Sequence, residues 1–377
     1  METALVNARV LLPQGLREGL SVTIADGQIR SVSSEPPAGA AIVDGGGAML
    51  LPGFIDTQVN GGGGVLFNDA PTVETIATIA QAHRRFGTTG LLPTLISDDL
   101  AVVAAAIRAV DEAIEAGVPG ILGIHIEGPF LSVARRGIHD AGRLRRIDQD
   151  AIALLGSARH GRTLVTLAPE CVEPGDVSAL VAAGVIVAAG HSEADYDTVR
   201  HAIGEGLSGF THLFNAMSPL ANRAPGMTGA ALEDDRTTAG LIVDGHHVHP
   251  AVIRIALKAK GHERLMLVTD AMALTGVDDD HFLLQGRKIM RDGDRLVDAK
   301  GTLAGSTLTM TAAVSNMIAQ TGIDLRRAVA MASATPAVFL GIADRTGAIA
   351  PGLSADLILV DDDWQVKRSW IAGREAA

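Results

Sequence analysis

Four apolar stretches of this sequence end in side chains able to bind a metal or move a proton. They are GILGIHIEGP with Glu127, GVIVAAGHS with His191, GFTHLFNAM with His212 and LMLVTDA with Asp270. Each stretch has the length of one strand and runs at once into turn residues. Strands that close on polar side chains belong to the C-terminal rim of a parallel β-barrel, where such barrels carry their chemistry. Two imidazoles and a carboxylate suit a divalent metal with one position left for water. A further carboxylate suits the proton transfer that such a water needs. Any one of these residues alone would be better read as an unrelated polar strand end; the combination points to a metal-dependent hydrolase.

Alternation along a strand puts His125 and Glu127 of IHIEG on one face, with Glu127 nearer the rim and His125 one layer deeper. An Asp after a strand often caps the next helix. At the end of the last strand Asp270 also faces the barrel mouth, so the catalytic reading is favoured.

Eight strand-like runs are expected to position these groups: LPGFIDTQVN, TGLLPTLI, GILGIHIEGP, RTLVTLAPE, GVIVAAGHS, GFTHLFN, AGLIVDGHHV and RLMLVTDA. Segments such as VETIATIAQAHRRFG and LAVVAAAIRAVDEAIEAG separate them with 3.6-residue periodicity. The alternation predicts an α/β fold, a (β/α)8 TIM-type barrel over 51–344. Period-two runs broken by DG and PP at the start, and similar texture in GAIAPGLSADLILVDDDWQVKRSWIAG, predict a small β-sandwich domain formed by both chain termini, 1–50 and 345–377. Two separate small sheets would give the same pattern. The GGGG at 61–64 lacks the phosphate-turn context of a dinucleotide fold and reads as a flexible rim loop. The insertion at 275–300 reads as a β-hairpin over the rim.

At 377 residues the chain suits a barrel with a smaller companion, and its hydrophobic content of 47% with only 3% aromatics suits close-packed Ala- and Val-rich layers. A net charge of −12 with scattered basic residues argues against nucleic-acid and anionic-membrane partners. An anionic small substrate would then need its own local positive groups. Cys171 is the single cysteine, which excludes an intrachain disulfide, and it reads as an idle thiol. No segment resembles a signal peptide, and the apolar run at 181–190 is half the length of a membrane span, so the chain reads as soluble and cytoplasmic.

With these residues in place, the sequence resembles the N-acetylglucosamine-6-phosphate deacetylase family of the amidohydrolase superfamily. The resemblance rests on PGFIDTQVNGGGG, HIEGPFLSVARRGIHD, TLAPE, GHSEAD, THLFNAMSPL, NRAPGMTGA, VDGHHV, LVTDAM and GTLAGSTLTM, together with PGLSADLILVDDD near the C-terminus. It covers nearly the whole chain. It implies hydrolysis of N-acetyl-D-glucosamine 6-phosphate to D-glucosamine 6-phosphate and acetate, in amino-sugar catabolism and cell-wall sugar recycling. Position by position it implies Glu127, His191 and His212 as metal ligands, Asp270 as acid/base and His139 as the residue on the amide carbonyl. It further implies substrate contacts from Asn215, Ala216, Arg223, Asp244, His247, Leu303, Ala304, Gly305 and Ser306. Arg223 and His247 would hold the phosphate, with Arg223 contributed across a homodimer interface. His246 and His249 read as rim residues.

Where many superfamily members end their first strand in H-x-H, this chain has Gln58 and Asn60, and its fourth strand ends with Glu170 in place of a bridging lysine. Neutral amides are poor ligands beside imidazole, which implies one divalent metal ion per subunit, zinc or iron. The alternatives are deacetylation of N-acetylgalactosamine 6-phosphate, which differs at one sugar hydroxyl, and hydrolysis of a cyclic amide, which usually needs two metals. A catalytically dead sensor or scaffold would be expected to have lost ligands that are all present here.

Overall fold

The computed structural model describes residues 2–376. Among them, eight parallel strands run in sequence order around a barrel: β1 (Phe54–Val59), β2 (Thr88–Ile96), β3 (Gly123–Glu127), β4 (Arg162–Leu167), β5 (Ile186–Ala189), β6 (Gly209–Phe210), β7 (Thr238–Leu241) and β8 (Leu265–Leu267). A helix follows each strand. The first, Val73–Arg84, starts where the Thr72 side chain accepts a hydrogen bond from the Thr75 amide, and it buries Ile76, Ile79 and Ala82 at helical spacing. The second, Leu100–Glu115, buries Val103, Ala106, Ile107, Val110 and Ala113 in the same way. No helix among the described residues is long and apolar enough to cross a membrane.

The barrel closes just past β8. Asp270 N–H donates to Gln58 O (3.0 Å), and Asn60 N–H donates to Ala271 O (2.8 Å). Beneath this seam the buried Asp56 carboxyl accepts from Thr269 Oγ1 (2.5 Å), Gln58 N (3.2 Å) and Thr269 N (3.3 Å). One side chain therefore clamps the first strand to the last directly below the rim.

Both termini join one continuous sheet. Thr3–Leu12 pairs with Gly15–Ala25 on one side and with Ala41–Asp44 and Met49–Pro52 on the other. Met49–Pro52 carries Leu357–Val360, which continues through Val366–Ile371 to Arg374–Glu375. Alternation decides how the sheet packs. Leu50, Leu357 and Leu359 face a separate core with Val10 and Trp370, whereas Met49, Leu51, Ile358 and Val360 face the barrel's core.

Two rim segments differ from expectation. The 61–64 glycines are a tight hairpin, Gly61–Gly62 against Val65–Leu66, tied to the segment beyond β8 by Gly61 N to Ala271 O and Gly64 N to Ala273 O. A Cβ on Gly61 would lie 2.4 Å from Val65 O, so glycine serves close packing here and not flexibility. The insertion is a four-stranded antiparallel meander, His281–Leu284, Arg287–Asp292, Arg295–Val297 and Leu303–Ser306. The missed turn is Gln285–Gly286, with φ of 48° and 79°, the conformation of a type I′ hairpin turn.

Burial pushes the Asp56 carboxyl up to about 7 against the opposing hydrogen bonds. A carboxyl raised above its unfolded value of about 4 stabilises the fold most when protonated, and that contribution fades as pH climbs towards 7. Asp56→Asn, which cannot ionise, should be less stable than the wild type, and the gap should narrow over this pH range. Urea unfolding of both proteins at several pH values measures it; a gap that widens with pH would contradict the assignment.

Candidate active site

Glu127 is the last residue of β3, His191 and His212 stand two residues beyond β5 and β6, and Asp270 stands three beyond β8. At the last three the backbone enters the left-handed region, with φ of 50°, 34° and 52°. Such conformations are unfavourable for residues with a Cβ and persist where neighbours fix them. Here the fixing bonds are Ser132 N to His191 O, Leu213 N to Gly240 O and Asp270 N to Gln58 O. Gly305, at φ 65°, passes so close behind that a Cβ would lie 2.7 Å from Asp270 O.

The three donor atoms meet. Glu127 Oε1 lies 3.1 Å from His191 Nε2 and 3.0 Å from His212 Nε2, and the two Nε2 atoms are 3.0 Å apart. Donors about 2.1 Å from a tetrahedral zinc ion would stand about 3.4 Å from one another, so this triangle, a few tenths of an ångström tighter, fits a divalent cation. His191 Nδ1 is 2.9 Å from Arg135 O, which can only accept; the proton therefore sits on Nδ1 and the Nε2 lone pair points into the triangle. Burial raises the Glu127 carboxyl, but the two imidazoles beside it outweigh this and hold it well below the usual range. Burial lowers His212, and Glu127 more than offsets this, leaving it raised. The cluster attracts positive charge. His139 also lies within reach of Glu127 and His191, but its Nδ1 is engaged elsewhere.

Gln58 and Asn60 act as donors. Gln58 Nε2 bridges Glu127 Oε2 and Asp270 Oδ1, both at 3.2 Å, and Asn60 Nδ2 donates to Asp270 Oδ1 at 2.7 Å. Their N–H groups are directed at the two carboxylates. Asp270 is pushed up to about 6, by burial first and by the Glu127 charge second.

His139, in the loop after β3, is buried, and its ring stands edge-on to His191 with centroids 4.5 Å apart. Its Nδ1 faces Ser97 N (3.3 Å) and Ser97 Oγ (2.7 Å). A backbone N–H can only donate, so Nδ1 accepts and the ring proton resides on Nε2, in a residue that lines the cavity. Burial, then the charge of His191, pushes this imidazole down to about 3, so it remains a neutral donor.

These groups surround a cavity of about 240 Å³ that is also lined by Asn215, Ala216, His247, Leu303 and Gly305. His247 is oriented by Asp244, whose Oδ2 accepts a hydrogen bond from Nδ1–H at 2.6 Å while Oδ1 accepts from the His247 amide. Asp244 thus stands behind His247 and not in the cavity wall. Ala304 and Ser306 do not line it either. Alternation turns Ala304 into the core of the meander, and Ser306 Oγ bonds Thr269 O at 2.6 Å. Arg223 is exposed on the loop after β6 and does not line this chain's own cavity.

His125 lies one layer down as expected, between Thr94 Oγ1 (3.3 Å) and Thr166 Oγ1 (2.8 Å). Glu170 braces the loop carrying His191 by accepting from Ser192 Oγ and Glu193 N, each at 2.6 Å. His246 reaches Asp294 of the meander at 2.8 Å, and His249 caps the helix Pro250–Lys260. Burial raises the Cys171 thiol to about 11, consistent with an idle side chain. Sequence reasoning missed Ser97 and the cavity-lining Ile96, Ile138, Ile242 and Met272, none of which carries a local signal.

Residues 49–376 match the amidohydrolase family. An N-acetylgalactosamine-6-phosphate deacetylase of Shewanella sp. (strain ANA-3) is 48% identical over 370 residues, covering 97% of this chain and 94% of its own. The crystal structure of N-acetylglucosamine-6-phosphate deacetylase from Pasteurella multocida superposes with a TM-score of 0.97 at 34% identity, over 100% of both chains. A mutant of the Mycobacterium smegmatis N-acetyl-D-glucosamine-6-phosphate deacetylase, in complex with N-acetyl-D-glucosamine-6-phosphate, superposes with a TM-score of 0.89 at 36% identity over 99% of both.

Elemental analysis of purified protein should find about one equivalent of divalent metal per chain, the stoichiometry of one closed donor triangle. Glu127→Ala should lower it towards zero. Two equivalents in the wild type would contradict the donor role given to Gln58 and Asn60.

Proposed function

From a chain that belongs to the amidohydrolase family, and within it to the deacetylases of N-acetylated hexosamine 6-phosphates, we propose an enzyme that hydrolyses N-acetyl-D-glucosamine 6-phosphate to D-glucosamine 6-phosphate and acetate. That reaction belongs to amino-sugar catabolism and cell-wall sugar recycling. The observation that carries the reading is the convergence of Glu127, His191, His212, Asp270 and His139 on one closed-in cavity. A phosphorylated sugar is too polar to cross a bilayer unaided, which suits a cytoplasmic enzyme.

Glu127, His191 and His212 would hold a single zinc or ferrous ion. When bound, that ion supplies Lewis acidity and brings a water near its deprotonation point at neutral pH. Asp270 takes the proton of the attacking water, its carboxylate aimed by Asn60 and Gln58. His139 donates its Nε2–H to the amide carbonyl oxygen as charge develops there. Asp270 then returns its proton to the departing nitrogen, because an amine leaves readily only when protonated.

The phosphate needs cations, and among the described residues no lysine or arginine lines this chain's cavity. His247 supplies one contact through Nε2, with Asn215 and Ala216 beside it. We assign a second to Arg223 of the partner in a homodimer. In support, Arg223 has no hydrogen-bond or ion-pair partner among the described residues, and Leu220 on the same loop is 58% exposed. Anchoring the sugar at its far end orients the amide for attack.

A second reading, the galactosamine epimer as preferred substrate, is favoured by the name of the Shewanella relative. The two sugars differ in the direction of one hydroxyl, and the residues above would act identically on both. Acetate release measured with each sugar phosphate ranks the two through kcat/KM, and no release from either would refute the deacetylase assignment.

Asp270→Asn should cut kcat about a thousandfold while leaving metal content and substrate affinity near wild type. In the wild type kcat/KM should fall as pH drops through Asp270's value of about 6, because the base form is required, and a bound cation moves that limb lower. A variant with ordinary turnover would rule out Asp270 as the base. Arg223→Ala should raise KM for the phosphorylated sugar by about tenfold or more and leave hydrolysis of unphosphorylated N-acetylglucosamine unchanged. Equal effects on both sugars would remove Arg223 from the phosphate site.

A further inference from the structure

We propose that the 281–306 meander is part of the catalytic apparatus: through Gln285, seconded by Arg287, it fixes the orientation of the His139 imidazole, so that Gln285 is a positioning residue for carbonyl polarisation. The inference rests on the role given to His139 above.

Two chain segments meet at His139: its own loop, and the residue just past β2, Ser97. The meander ties down each of them. Gln285 Nε2 donates to Ser97 O at 2.9 Å, across 188 positions of sequence. On its other side Ser97 presents its amide and hydroxyl to His139 Nδ1. The Arg287 guanidinium donates to Ile138 O, the carbonyl next to His139. Gln285 belongs to the tip of one hairpin, Gln285–Gly286, and Arg287 follows it directly; the left-handed backbone of the tip carries the glutamine towards Ser97.

The hairpin is itself held. Phe282, Leu284, Ile289 and Leu296 pack into one cluster with Ile96, which precedes Ser97, and with Ile138. Gln285 Oε1 is buried with no partner, an unfavourable state that leaves the Ser97 bond as the interaction orienting this amide. The bond matters because His139 can polarise a carbonyl only with its proton on Nε2. It is the Ser97 amide that makes Nδ1 the acceptor. If Ser97 shifts, the imidazole is free to flip or to exchange tautomers, and the donor facing the substrate is lost.

The test uses Gln285→Asn. Asparagine followed by glycine is the preferred pair of a type I′ turn, so the hairpin is kept, but the side chain is one methylene too short to reach Ser97. The melting temperature should be unchanged or higher. With N-acetylglucosamine 6-phosphate, kcat should fall about tenfold, the scale of one orienting hydrogen bond, with KM and metal content little changed. The decisive measurement is the double-mutant cycle with His139→Ala: a residue acting through His139 has no further effect once that imidazole is gone. Wild-type kcat in Gln285→Asn, or the same fold loss in both backgrounds, overturns the proposal. If His139→Ala itself keeps wild-type kcat, the role of His139 fails and the inference falls with it; if His139→Ala is crippled and Gln285→Asn is not, only the inference falls.

Discussion

Three electron-rich atoms held about 3 Å apart and out of water are an unfavourable arrangement for any protein that has no cation to place among them. The Glu127, His191 and His212 triangle is of this kind. It persists because the closed barrel leaves each side chain little freedom. Each of the three side chains stands at or just beyond the end of a separate strand, and strand spacing fixes their separation. Left-handed backbone at His191 and His212 turns the imidazoles inward where simple alternation would not carry both to the same point. The Asp56 clamp at the seam extends the constraint to Asp270, the fourth group. Barrel closure and metal affinity are thus one problem, and what stabilises the cylinder also brings the ligands together.

The parts of the site legible in the sequence are those in which a local pattern determines a spatial position. A strand that ends in His or Glu reports its place on the rim, so Glu127, His191, His212 and Asp270 could be placed there before any fold was known. His125 one layer deeper followed from alternation alone. Alternation applied to Leu303–Ser306 would also have shown that only every second residue can face the cavity. The resemblance implied all four, and Ala304 and Ser306 instead form its backing. Gln58 and Asn60 could be recognised as poor metal ligands; that their amides are directed at Asp270 required the seam between first and last strands. Ser97 had no local signal, because its importance lies in contacts with His139 and Gln285 that the sequence separates widely. The first hairpin turn of the insertion was missed because Gln-Gly is a weaker turn signal than Asp-Gly. The glycine run misled for the opposite reason: composition does not distinguish flexibility from close approach.

Charge accounts for the remaining architecture. Glu127 and Asp270 carry two negative charges at most, which a single divalent cation balances. Around them the site places neutral donors only: the amides of Gln58 and Asn60 and an imidazole held neutral by burial. A lysine or arginine here would compete with the cation for Glu127, and a third carboxylate would leave uncompensated charge in a buried cavity. In the proposed reaction the preoriented His139 N–H would meet the charge that develops on the amide carbonyl, beside the place where Glu127, His191 and His212 would hold a cation able to supply Lewis acidity. The phosphate is handled separately because its two charges would disturb that balance if brought close. On the proposed reading its contacts are His247 of this chain and Arg223 of the partner, an exposed arginine with no partner among the described residues. The separation lets the distant charge orient the sugar without altering the electrostatics at the reacting carbon.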